Sequence, residues 1–169
     1  MEMKNDEKTW STAQEGGGHD QGKTEDWAYI ISSLSSLFFC TYYLDLETDT
    51  FRTVTQLSRV GDVLGNEVNY TAGLAIYANH FIHPDDRAEY LRVMDLDNLR
   101  ESLRWWQPCA AVEYRRLDEV SGESSSSWRW VRASVVLARS GGDDRPKTAV
   151  YVAQDITGGR RDAAGQDRG

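Results

Sequence analysis

"SWRWVRASVVLAR", residues 127–139, decides how the rest of the chain must be read. Taken alternately, Val131, Ala133, Val135 and Leu137 fall on one side of an extended chain, with Trp130 and Val136 on the other. That period of two predicts a strand, and a strand apolar on both sides predicts a sheet covered on both faces. Two runs of the same character flank it, "CAAVEYRRLD" at 109–118 and "KTAVYVAQDI" at 147–156. The connections "EVSGESSSS" and "SGGDDRP" are rich in turn residues, so the three strands pair antiparallel.

Working back from these strands, the middle of the chain turns helical. "SRVGDVLG" (58–65) and "YTAGLAIYANHF" (70–81) read as two helices, and residues 83–106 as the longest. Pro84 suits a first helical position, and Asp85 and Asp86 place negative charge at the positive end of the helix dipole. Before the helices stand two strand-like runs, 40–47 and 50–57, with "TDT" as a tight turn between them. A helix over 25–39 precedes those. In it Trp27, Ile30, Ile31, Leu34, Leu37 and Phe38 recur at helical spacing and form one apolar stripe.

The order is therefore helix, two strands, several helices, three strands, an α+β unit with one antiparallel sheet and its helices mainly on one face. The expected organisation is a disordered lead over 1–24, one domain over 25–157 that includes the flanking helix, and a disordered tail over 158–169. Both ends are polar and glycine-bearing, with almost no apolar anchors.

Among 169 residues, 19 are Lys or Arg and 27 are Asp or Glu, a net charge of −8. An acidic body with dispersed arginines attracts neither phosphate backbones nor anionic lipid, so neither nucleic acid nor membrane is expected as a partner. The opening "MEMKNDEKTW" lacks the apolar core of a signal peptide, and "YIISSLSSLFFC" is too short and serine-rich to span a bilayer. A cytoplasmic location is expected. Cys40 and Cys109 could form one bridge, but both sit beside apolar residues and are expected as buried free thiols.

Four phrases in this order resemble a PAS domain of bacterial signalling proteins: "FIHPDDR" at 81–87, "VEYRRL" at 112–117, "WRWVRA" at 128–133 and "VAQDIT" at 152–157. The resemblance covers about residues 27–157. It implies a five-stranded antiparallel sheet of strand order 2-1-5-4-3, helices cupped over one face, and often a small-molecule cavity between them. It also implies a flanking helix that packs on the outer sheet face or pairs with a second copy. The expected partner surface is thus the face of Trp27, Ile30, Ile31, Leu34 and Phe38, meeting a signalling protein or another copy of the chain. In relatives, Asp-Ile-Thr commonly leads into a histidine kinase or cyclase output domain. Here only twelve residues follow Thr157. The expected function is a non-catalytic sensory or interaction module acting through another polypeptide, as a detached sensor or an adaptor. A purely structural dimerisation unit is the plainer alternative.

"SGGDD" at 140–144 resembles the start of a diguanylate cyclase signature, but Asp144 and Arg145 stand where Glu-Phe would be, and the phrase reads as a hairpin turn. His80 and His83, with Asp85 or Asp86, are the candidates for a metal, or for an Asp-His pair in a small enzyme. Pro84 removes His83 from helical geometry, so no metal and no catalytic residue is expected, and burial of an Asp-His pair is the discriminator. Neither histidine matches a haem ligand position, and neither cysteine lies in a flavin-reactive helical phrase, so no cofactor is expected. Trp105, Trp106, Trp128 and Trp130 stand near Arg104, Arg115, Arg116, Arg129 and Arg132, but Glu101, Glu113, Asp118 and Glu119 interleave with them. That pattern predicts cross-strand ion pairs rather than a nucleic-acid platform.

Overall fold

A computed structural model describes residues 29–30, 33–34, 36–118 and 127–160. The chain divides into two units, 1–34 and 35–169. In the first, Tyr29, Ile30, Ser33 and Leu34 are helical. Trp27 and Ile31 lie outside the described residues. The expected helix does not run on to Phe39, because Ser36 and Leu37 form a turn and the Phe39 amide donates to the Ala153 carbonyl at 3.0 Å. That bond brings the chain into the sheet at Cys40, where the first strand is expected to begin.

The second unit holds five strands: β1 (Cys40–Asp45), β2 (Thr50–Thr55), β3 (Cys109–Asp118), β4 (Ser127–Ser140) and β5 (Pro146–Asp155). All pairings are antiparallel, in the order β2-β1-β5-β4-β3. This is the sheet order of the PAS fold. The first two strands turn through a loop organised by Asp45, whose carboxylate accepts from the Glu47 and Thr48 amides at 3.0 Å each. Asp49 takes φ 55°, the left-handed conformation that closes the turn. "SGGDD" is indeed a hairpin turn between β4 and β5, with Asp144 at φ 60°.

Four helices cover one sheet face: α1 (Ser58–Leu64), α2 (Tyr70–Phe81), α3 (Pro84–Met94) and α4 (Leu96–Ser102). The single long helix expected over 83–106 is therefore two. Asp95 breaks it with ψ 138°, and its carboxylate accepts from the Asp97 and Asn98 amides, which makes it the N-cap of α4. Trp105 and Trp106 are not helical either. They sit in a turn closed by reciprocal Arg104–Gln107 backbone bonds, 70% and 60% exposed.

The core lies between the helices and the inner sheet face, formed by Cys40, Tyr42, Leu44, Val112, Tyr114, Val131, Val135 and Tyr151 together with Tyr77, Tyr90, Met94 and Leu99 from the helices. Leu137 packs at its margin, so the alternate residues of β4 face inward as predicted. On the opposite face the register sets Tyr43, Val150, Val136 and Cys109 in one row across four strands. Cys109 is thus exposed, not buried. It stands on the outer side of edge strand β3, and its apolar neighbours Ala110 and Val112 point the other way. Residues 158–160, assigned to the tail from sequence, complete a helical turn with Thr157, and Arg160 stacks on Trp130 at 3.8 Å.

Candidate functional site

Strand alternation places Cys40, Tyr42 and Leu44 of β1, Tyr114 of β3 and Tyr151 of β5 on the inner face. Helical spacing brings Tyr70, Leu74 and Tyr77 of α2 and Tyr90 of α3 down onto them. Gly73 allows the close approach: a Cβ there would stand 2.9 Å from the ring of Phe51 on β2. Between these layers remains a cavity of about 40 Å³, almost wholly apolar and rimmed mainly by tyrosine rings.

The hydroxyls of those rings are already engaged. Tyr77 and Tyr114 share a hydrogen bond at 2.8 Å, and Tyr90 and Tyr151 share another at 3.1 Å. Tyr70 donates to the Met94 carbonyl at 2.7 Å, and Tyr42 donates to Gln56 Oε1 at 3.1 Å. Burial pushes every one of these phenols far above its ordinary value, so all stay neutral across the physiological range. Burial also raises the Cys40 thiol, which keeps it protonated and a poor nucleophile. The rings pack edge-on: Tyr90 to Tyr114 at 4.9 Å, Tyr77 to Tyr114 at 6.3 Å and 89°. The size and lining of the chamber suit only an uncharged, largely apolar group of a few heavy atoms, since its polar groups are satisfied internally.

The sequence-derived candidates lie elsewhere. His80 is exposed and its Nδ1 lies 2.9 Å from the Ile76 carbonyl. His83 caps α3, with Nδ1 accepting from the Asp85 amide, and its ring meets Trp128 edge-on at 4.7 Å. Asp85 approaches His83 at 3.7 Å, but its side chain is 75% exposed. Asp86 is committed to Arg115, accepting from its backbone amide at 2.9 Å and from two guanidinium nitrogens at 2.8 Å. The Arg115 bonds hold the Asp86 carboxyl below the usual carboxylate range. The Asp-His pairs therefore sit at a solvent-facing helix start rather than on the cavity floor. Among the described residues no group of three His, Cys, Asp or Glu is arranged to hold a metal.

Part of the expected charge pairing appears on the last strands, although Glu119 lies outside the described residues. Arg129 bonds Asp118 and reaches Asp155 at 3.1 Å, Arg132 faces Glu113 at 3.8 Å, and Arg160 bonds Glu113. Thr157 of "QDIT" accepts the Trp130 amide at 3.0 Å, and its own amide donates to Asp155 at 2.9 Å, so the exit of β5 is tied to the start of β4. The tyrosine chamber itself escaped the sequence reading. Eight tyrosines in 169 residues was the available signal, but which of them converge depends on the sheet register.

No protein-family model matches the chain, and no curated protein matches it either. Solved structures do resemble it. One is a sensory box histidine kinase/response regulator from Burkholderia thailandensis E264, at 19% identity over 82% of this chain and 92% of that one, with a TM-score of 0.47. A second is the N-terminal domain of a diguanylate cyclase with PAS/PAC sensor from Marinobacter aquaeolei, at 15% identity over 69% and 94%, TM-score 0.43. A third is an RNA-binding light-oxygen-voltage receptor, at 20% identity over 70% of this chain, TM-score 0.43; the chain spans only 29% of that protein's length.

Proposed function

We propose that this chain is a non-catalytic sensory and protein-interaction module of the PAS type, working in signal transduction through a separate polypeptide or a second copy of itself. The tyrosine-lined cavity carries the reading. It lies between the helical layer and the inner sheet face, where a guest alters helix packing, while β1 and β5 run from its wall to both ends of the domain. A ligand shifts such a module only by binding one arrangement better than the other.

The output face follows from the outer row of Tyr43, Val150, Val136 and Cys109, with Val136 40% exposed. This row and the apolar stripe of the flanking helix, Ile30 and Leu34 included, are the proposed meeting surfaces for a kinase- or cyclase-type partner or for a second copy. Among the described residues no helix is long and apolar enough to cross a membrane. A cytoplasmic setting accords with the proposal.

Native mass spectrometry of protein purified from cells, combined with NMR under xenon, tests the reading. The expected result is a saturable xenon shift at Tyr42, Tyr77 and Tyr151 and a dimer or a partner complex. A strictly monomeric protein whose tyrosine signals ignore xenon would refute it.

A further inference from the structure

A second recess lies beside the tyrosine chamber, and no residue lines both. It is an open groove of about 420 Å³ at the end of the sheet where β1 begins and β5 leaves. Phe39, Leu57, Phe81 and Leu117 give it an apolar floor, and Arg59, Arg116 and Arg129 stand in its walls with Asp118 and Asp155.

Arg129 takes up both of the groove's acids, bonding Asp118 and reaching Asp155 at 3.1 Å. Among the described residues no carboxylate pairs with Arg116. Its guanidinium lies over the Phe39 ring at 4.6 Å. Its Nε is buried and makes no hydrogen bond. Among the described residues the other buried unpartnered side-chain atoms are hydroxyls, so this is the charged exception. A charged donor left without an acceptor is costly, because it has lost water and gained nothing in exchange. The backbone holds the residue in place, since Arg116 bridges to Ile82 at the α2–α3 junction. Flexibility of the strand therefore does not relieve the cost.

We propose that this groove is a binding site for a small amphipathic carboxylate, whose carboxylate accepts from the Arg116 guanidinium and whose apolar body lies on Phe39, Leu57 and Phe81. The fork of an arginine matches a planar carboxylate, and the floor suits a short aliphatic or aromatic body. The ligand would touch Phe39 at the start of the first strand and the wall that includes Asp155 at the end of the last. It would thereby clamp the two ends of the sheet domain. This proposal stands apart from any guest in the tyrosine chamber.

Octanoate is the probe, titrated into the full chain by calorimetry and followed by NMR, with octanol as the uncharged match. Expected are one saturable site, shifts at Phe39, Leu57, Phe81 and the Arg116 Nε–H, and at least tenfold weaker binding of octanol. In Arg116→Gln, octanoate falls at least tenfold, to the level of octanol, whereas Arg116→Lys, which keeps charge without the fork, lies between. Equal octanoate affinity in Arg116→Gln and the parent protein overturns the proposal. So do equal affinities for octanoate and octanol, shifts confined to Tyr42, Tyr90 and Tyr151, or tighter binding of a short polyglutamate peptide than of octanoate. If Arg116→Gln does not fold, the octanoate–octanol comparison on the parent protein decides alone. Failure here leaves the xenon test of the tyrosine chamber unaffected.

Discussion

Replacing Tyr114 by Phe removes one hydroxyl from a site that is 0% exposed and strands the Tyr77 hydroxyl that met it at 2.8 Å. Two costs follow: the lost hydrogen bond, about 1 kcal/mol net, and the desolvated partner, about 1–3 kcal/mol. Tyr114→Phe should therefore destabilise the protein by about 2–4 kcal/mol, and Tyr77→Phe by about the same, since each strands the other. The double substitution strands neither hydroxyl of the pair and keeps both rings, so it should cost about 1 kcal/mol. The coupling between the two sites is then at least about 3 kcal/mol, well above the few tenths seen between independent positions. Urea unfolding of the four proteins, at matched denaturant slopes, measures this directly. Additive single effects would show that the hydroxyls do not satisfy one another. The chamber would then have free polar groups, and its assignment to an apolar guest would fall.

The same frame yields three further expectations. Gly73→Ala drives a Cβ to 2.9 Å from Phe51 and should cost about 1–3 kcal/mol, partly restored by Phe51→Leu; an unchanged urea midpoint would deny the close approach of α2 to β2. Asp86 is held below its ordinary pKa by Arg115, so its contribution is complete above about pH 4 and lost as pH falls through the lower folded value. Asp86→Asn should then unfold more easily at pH 7, while its stability curve converges with the parent's in strong acid; parallel curves at all pH would contradict this. Cys109 should react rapidly with a thiol reagent under native conditions and Cys40 only on opening, so two thiols labelled at one rate would refute the assigned faces.

Much of the fold is written locally. The alternation in residues 127–139, the turn residues on either side and Pro84 with its two aspartates are each decided by neighbours within a few residues. The strands and most helices accordingly appear where the sequence predicts them. Asp95 shows the limit of that reading. An acidic residue inside a continuous helical pattern looks unremarkable until its carboxylate turns back to cap the next helix. Cys109 shows it again, because local apolarity does not say which face of an edge strand meets solvent. The four phrases carried the family resemblance, and the sheet order agrees with it.

What the sequence by itself determined is the periodicity, and with it the element types, their order and the antiparallel pairing, because these depend on backbone sterics and side-chain spacing. Which groups end up satisfied was decided only by tertiary structure. Tyr77 meets Tyr114 across 37 residues and Tyr90 meets Tyr151 across 61, while Arg129 claims Asp118 and Asp155 and leaves Arg116 without a carboxylate among the described residues. Hydrogen-bond and charge balance is a property of groups brought together by register, and no local pattern encodes it.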